Sequence, residues 1–236
     1  MSIDLSKLTR KERRSALIGM VFGDASLYRA SGLQNDWQTT VLKITHSTKQ
    51  RAYLEWKRDI IQPMFDYPLN LVESYNRAGN GKSYPVVKVL TRSNPQLKRL
   101  RKIMYDAEGK KRVTPQLLNA LDDRGMAIWY CDDWCLSKTV GRGATVIAAT
   151  NCFSYEEHLL MREWFADVYG VCFNIYQCKA GTYHLRRGIS DAYKLLDRIA
   201  PYVVPSLSYK VEYPQPKRGR WYSLPGTVPA PDITIG

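Results

Sequence analysis

Two stretches decide how this chain is read: Leu17-Ile18-Gly19-Met20-Val21-Phe22-Gly23-Asp24-Ala25 and Met126-Ala127-Ile128-Trp129-Tyr130-Cys131-Asp132-Asp133-Trp134. Each is an apolar run of helical character that finishes on an aspartate, Asp24 in the first and Asp133 in the second. The end of a helix is the wrong place for a carboxylate, because the macrodipole disfavours it there by roughly 0.3–1 kcal/mol. A single such aspartate reads as a helix stop, whereas two at equivalent points imply a bound cation that compensates. Gly19 and Gly23, four residues apart, leave a bare stripe on the first helix while lowering its propensity by about 1 kcal/mol each. If the two helices meet along that stripe, Asp24 and Asp133 end side by side. Adjacent carboxylates repel unless a divalent metal sits between them.

Both stretches are followed by the same order of elements. Thr9-Arg10-Lys11-Glu12 is a capping box that opens the first helix. Strand patterns follow at Ser26–Arg29 and Trp37–His46, where Leu42 and Ile44 share one face and Val41, Lys43 and Thr45 the other. Ser47–Gln50 is a second capping signal, for a helix carrying Tyr53, Trp56, Ile60 and Ile61. Strands near Leu69–Tyr75 and Tyr84–Arg92 flank the turn Ala78–Lys82, and Asn94-Pro95 caps a basic helix to about Tyr105. After the second stretch come strands near Leu136–Lys138 and Thr145–Phe153, then a capping box at Ser154–Glu157 and a helix to about Tyr169. Strands Cys172–Lys179 and Tyr183–Ile189 and a helix from Ser190 complete the repeat. Two halves in the order α-β-β-α-β-β-α are thus offset by 109 residues between the acidic helix ends. The expected division is 1–107, a linker 108–115, 116–212, and a Pro-rich basic tail 213–236.

Composition limits the possible functions. The 236 residues are 44% apolar and 11% aromatic, enough to bury a core. Lys and Arg number 35 against 22 Asp and Glu, a net charge of +13 that suggests a polyanionic partner such as nucleic acid. No apolar run reaches the roughly 18 residues of a membrane span, and the N-terminus lacks the apolar stretch of a secretory signal. Five cysteines without a CxxC pair, and three scattered histidines, disfavour a disulfide framework or a zinc site. The thiols are expected to be reduced and the protein intracellular.

The quoted stretches resemble the LAGLIDADG motif and its second copy, and the duplicated element order is similar to single-chain LAGLIDADG homing endonucleases from about residue 9 to 212. The resemblance implies an α+β fold of two pseudo-symmetric αββαββα subdomains, with motif helices at their interface and a saddle-shaped antiparallel sheet in each. It implies a monomer that cuts both strands of a long double-stranded DNA site with Mg²⁺ or Mn²⁺. Carried over by position, the metal and scissile phosphates fall to Asp24 and Asp133, with Gly23 and Asp132 as neighbours in the metal set. The second copy departs from the pattern: Ile128 and Asp132 stand where the first has Gly19 and Gly23, and Trp134 replaces the small final residue. The family's peripheral basic residue maps to Lys210 in one half and to Arg112 in the other, with Lys111 as the fallback. In such enzymes metal ions about 3.5–4 Å apart serve an in-line phosphodiester hydrolysis without a covalent nucleophile.

Base and backbone contacts are expected from the solvent face of the strands, at Lys43, Thr45, Tyr84, Lys88, Arg92, Gln177, Arg186 and Lys138, with Lys111 nearby. Gly79–Ser83 has the ending of a phosphate-binding loop but joins two strands and lacks the first glycine, so nucleotide binding is not expected. Cys131 and Cys135 read as core thiols. Two rival readings remain: an RNA-binding maturase acting on intron RNA, and a DNA binder that has lost cleavage. The intact pair of acidic positions argues against the second.

Overall fold

Duplicated local signals become duplicated architecture. The computed structural model of the chain describes residues 4–29, 40–77, 79, 81–139 and 143–213. The expected strand start at Trp37–Thr39, part of the Ala78–Lys82 turn and the tail from Pro214, with Lys217, Arg218 and Arg220, lie outside the described residues.

The first half contains α1 (Arg10–Phe22), β1 (Ser26–Arg29), β2 (Thr40–Ser47), α2 (Arg51–Ile61), β3 (Leu71–Arg77), β4 (Ser83–Leu90) and α3 (Pro95–Met104). A short α4 (Pro115–Leu118), which no periodicity announces, precedes the second half. That half contains α5 (Asp123–Asp133), β5 (Trp134–Thr139), β6 (Gly143–Ala148), α6 (Tyr155–Tyr169), β7 (Asn174–Gln177), β8 (Tyr183–Gly188) and α7 (Ile189–Ile199). The sheets are antiparallel with matching orders, β1-β2-β4-β3 and β5-β6-β8-β7. Among the described residues no helix is long and apolar enough to cross a membrane.

The capping boxes at Thr9–Glu12 and Ser154–Glu157 form in full. Ser47 does not cap with its side chain; a single 3-10 turn, Thr48–Gln50, leads into α2 instead. Asn94 accepts from the Gln96 amide and so starts α3. The last helix begins at Ile189, one residue ahead of Ser190.

The close approach of α1 and α5 is the feature that positions everything else. A Cβ on Gly19 would lie 2.1 Å from the Gly125 carbonyl oxygen, and one on Gly125 would lie 2.3 Å from Ser15 Oγ. The helices are therefore in backbone contact there, and Gly125, not Ile128, meets Gly19. Further along, a Cβ on Gly23 would lie 2.4 Å from the Cβ of Asp132. The contacts Ser15 with Gly125, Gly19 with Gly125 and Gly23 with Asp132 advance together, so the helices run in the same direction and end together. At the start of α5, Ser15 Oγ from the middle of α1 donates to Asp122 Oδ1 over 2.6 Å and accepts from the Asp122 amide over 2.8 Å. Around this seam one apolar core runs through both halves. Phe22 meets Trp129 across it with ring centroids 4.8 Å apart.

All five cysteines are free. Cys131 is buried, but Cys135 is exposed, because α5 ends at Asp133 and the residue falls on the open face of β5.

Candidate catalytic centre and nucleic-acid face

Because α1 and α5 end together, three carboxylates converge: Asp24 just past the end of α1, and Asp132 and Asp133 in the last turn of α5. Asp132 has no exposed side-chain area and both its oxygens are engaged. Lys57 Nζ of α2 donates to Oδ1 and Oδ2 over 2.6 and 2.7 Å. Tyr53 OH donates to Oδ1 over 2.8 Å and the Asp24 amide to Oδ2 over 3.1 Å. A side chain of the second motif is therefore neutralised by a helix of the first half. This explains the sequence asymmetry: Gly23 is bare where Asp132 needs room.

His46, buried on β2, continues the network. Its Nε2 lies 3.0 Å from Lys57 Nζ, which can only donate, so Nε2 is the acceptor and Nδ1 carries the proton. Nδ1 lies 3.6 Å from Asp24 Oδ2. Burial, then the Lys57 charge, pushes the imidazole down to about 4, consistent with a neutral ring.

Asp24 and Asp133 are left without such partners. Among the described residues neither forms a salt bridge with a lysine or arginine. Burial first, then the Asp132 and Asp24 charges, pushes the Asp133 carboxyl up to about 7. Burial and then Asp132 raise the half-exposed Asp24. Two hard oxygen donors, each destabilised as an anion by its neighbours, fit a hard divalent cation. Ligand atoms of Asp24, His46 and Asp132 also lie within 4.8 Å of one another. Asp132, however, already accepts four hydrogen bonds, so a cation there would have to displace Lys57.

Each helix end is closed by a lysine. Lys111 Nζ donates to the Gly23 carbonyl over 2.6 Å, and Lys210 Nζ to the carbonyls of Cys131 and Trp134. Both thereby supply positive charge where the dipoles are negative. In the first half the basic side chain that reaches the helix end is Lys111, while Arg112 is the residue expected there from spacing. The Arg112 side chain turns the other way and donates to the carbonyls of Ile103 and Lys102 over 2.8 and 3.2 Å. Adjacent residues around the 105–111 bridge point to opposite sides, which spacing alone does not resolve. The Gly23 carbonyl, a candidate ligand by sequence, is occupied in part by Lys111.

On the first sheet Lys43, Thr45, Tyr84 and Lys88 share the open face: Thr45 pairs with Lys88, and the core residues Ile44 and Val89 alternate with them. Arg92 lies beyond β4, with its guanidinium 4.7 Å from the Tyr67 ring centroid. On the second sheet Arg186 is on the open face, over the Tyr176 ring at 5.0 Å. Gln177 and Lys138 are not. Gln177 pairs with Tyr183, and Lys138 with buried Ala144, in register with Leu185 and Val146 on the helix-bearing face. A shift of one position inverts a strand assignment. Residues that sequence reading missed here are Tyr176, His184 and Asn174, which share the Arg186 face. His46, Tyr53 and Lys57 were missed as well: each sits at an apolar position in the pattern, and only the buried acid they meet distinguishes them.

Paired αββαββα halves, with acidic groups gathered where two motif helices end and a four-stranded antiparallel sheet in each half, define a two-motif fold of the homing-endonuclease class. Residues 14–192 match the LAGLIDADG DNA endonuclease family, and the chain belongs to that family. The fold is similar to the solved structure of the homing endonuclease I-WcaI bound to its DNA recognition sequence: TM-score 0.73 and 19% identity, covering 89% of this chain and 91% of that one. Protein RecA of Mycolicibacterium flavescens is 26% identical over 204 residues, 83% of this chain but only 45% of its own length. The chain thus spans under half of that relative. The cytochrome b mRNA maturase bI2 of Debaryomyces hansenii is 25% identical over 211 residues, covering 89% of this chain and 77% of its own.

Proposed function

We propose that the protein is a site-specific DNA endonuclease that makes a metal-dependent, staggered double-strand break, working as a monomer. The observation that carries this is that Asp24 and Asp133 stand at the shared end of α1 and α5, neither ion-paired with a lysine or arginine among the described residues, while the open faces of the two sheets carry Lys43, Lys88 and Arg186. Asp24 and Asp133 would hold a divalent cation, Mg²⁺ or Mn²⁺, which when bound supplies Lewis-acid activation of the scissile phosphate and its water. The reaction is hydrolysis: a water oxygen joins phosphorus while one P–O ester bond breaks in line with it.

The chain's own residues prepare that step. Lys57 removes the Asp132 charge from the site, so two carboxylates and not three face the phosphate. The Asp132 carboxylate in turn fixes the Asp24 amide, and the His46 ring borders Asp24 Oδ2. Lys111 and Lys210 stand at the two helix ends as positive flanks for the substrate backbone. Lys43, Thr45, Tyr84, Lys88 and Arg186 are the proposed groove contacts, the cations for backbone affinity and the alternating side chains for base edges.

Cleavage of a randomised duplex library in Mg²⁺, with the cut ends sequenced, tests this reading. One long preferred site with staggered ends is expected from the native chain. Asp24→Asn and Asp133→Asn should each abolish the double-strand break, and residual nicking of one strand would assign one carboxylate per strand. Tight binding with no cleavage of any library member would overturn the endonuclease reading. The likeness to a maturase favours a second activity, assistance to intron RNA folding, which would survive both aspartate substitutions.

A further inference from the structure

A cleft of about 450 Å³ lies away from the acidic centre, between the end of the β1–β2 pair, α3 and the 105–112 segment. Its walls carry Arg29, Lys98, Arg101, Lys102 and Arg112 against one acid, Asp106. Side-chain alternation tells which side of the molecule this is. Arg29 pairs with Thr40 and is two residues from buried Leu27, so it points to the helix-bearing face. Lys43 and Thr45 point to the opposite one. A duplex lying across the open faces therefore does not contact this cleft along the same stretch.

Four of these cations are held apart from acids. Among the described residues Arg29, Arg101, Lys102 and Arg112 form no ion pair. Arg112 is fixed by two backbone carbonyls. The Arg101 guanidinium lies over the Tyr105 ring, 5.2 Å from its centroid, and its buried Nε has no hydrogen-bond partner. The Asp106 carboxylate accepts from the Lys110 amide over 2.7 Å and so serves its own turn. Four like charges without ion pairs around one concavity repel one another, and a bound polyanion would relieve that repulsion. The Tyr105 ring, the aromatic of the lining, is buried and its hydroxyl accepts from the Leu27 amide, so no free ring is available to stack a base. That combination suits phosphates without sequence choice.

We infer that this cleft is a second nucleic-acid site, which takes the phosphodiester backbone of a segment other than the one on the open faces. The segment is either a distal part of the same duplex or a separate RNA strand; the chemistry is the same. The inference goes beyond the cleavage reading and uses only its assignment of the open faces to DNA.

Binding measurements on the full chain test it, with three fluorescein-labelled probes: a 20-nucleotide polyuridine RNA, and random duplexes of 24 and 60 base pairs. The back-face variant is Arg29→Gln with Lys98→Gln and Lys102→Gln; Lys98→Arg with Lys102→Arg is the charge-keeping control. The open-face variant is Lys43→Gln with Lys88→Gln and Arg186→Gln. The back-face variant should bind the short duplex as the native chain does. It should lose RNA affinity by about fivefold or more, with the salt slope reduced by about 2 for three lost phosphate contacts, and the control should retain both. A loss confined to the 60-base-pair duplex would identify the distal duplex as the occupant. Unchanged binding of RNA and long duplex by the back-face variant overturns the inference, as does a loss seen equally for the short duplex. Thermal melting by circular dichroism checks that each variant is folded. Because binding is the readout, absence of cleavage leaves this test intact.

Discussion

Lys57 carries an ammonium group on a side chain with no exposed area, and the Asp132 carboxylate that neutralises it is equally buried. Such a pair contributes little net stability, but removing one member strands the other charge in a low dielectric. Lys57→Met is therefore expected to destabilise the protein by about 3–5 kcal/mol, read by urea unfolding. Adding Asp132→Leu should recover most of that loss; a double variant as unstable as the single one would show that the pair is not the cause. Asp133 gives a second expectation at this scale. Its carboxyl, near 4 when unfolded, sits at about 7 in the folded metal-free protein. The folded state thus binds the extra proton, so this contribution to stability is present at low pH and is lost as pH rises from about 4 through 7. Calorimetry in EDTA should show the native chain losing melting temperature between pH 5 and 7.5 relative to Asp133→Asn. Parallel curves would sink the assignment.

Among the elements, α1 and α5 depend on glycines for reasons of space rather than of dihedral freedom. Neither Gly19 nor Gly125 has a positive φ, yet a Cβ on either would overlap the partner helix. Gly19→Ala gains about 1 kcal/mol of helix propensity and loses more by forcing the backbones apart. The expected net effect is a destabilisation of about 1–3 kcal/mol, typical of overpacking, together with a fall in cleavage as the aspartates separate. Unfolding midpoints alongside cleavage rates would check both. An alanine that stabilises the protein would mean the helices are not in backbone contact. The strands show a different sensitivity, to parity. Arg186 and Gln177 look alike as candidates on paper and end on opposite faces.

At the scale of the molecule, the halves share a core and are not independent units. Phe22 packs on both Trp129 and Phe153, Tyr53 and Lys57 of the first half satisfy Asp132 of the second, and one apolar cluster spans the seam. Residues 1–107 expressed alone would expose the apolar face of α1 to water. They are expected to lack a cooperative thermal transition by circular dichroism, and to gain one when 116–213 is co-expressed. A sharp transition in the isolated first half would show that the seam is an interface between finished domains.

What the linear sequence determined is whatever repeats at short range. Capping boxes, apolar periodicity and the two acidic motif ends lie within a few residues each, and their physics is local, so the element order, the duplicated fold and the placing of Asp24 and Asp133 at the ends of the motif helices were legible. Three things depended on distant residues meeting. Gly125 is a contact residue only because Gly19 approaches it, and Asp132 is a paired internal charge, not a free ligand, only because α2 brings Lys57 to it. Lys111 reaches the Gly23 carbonyl while Arg112 turns away because the 105–111 bridge fixes which neighbour points inward. Local spacing carries no information about which of two adjacent side chains a fold will bury, and that choice belongs to tertiary structure.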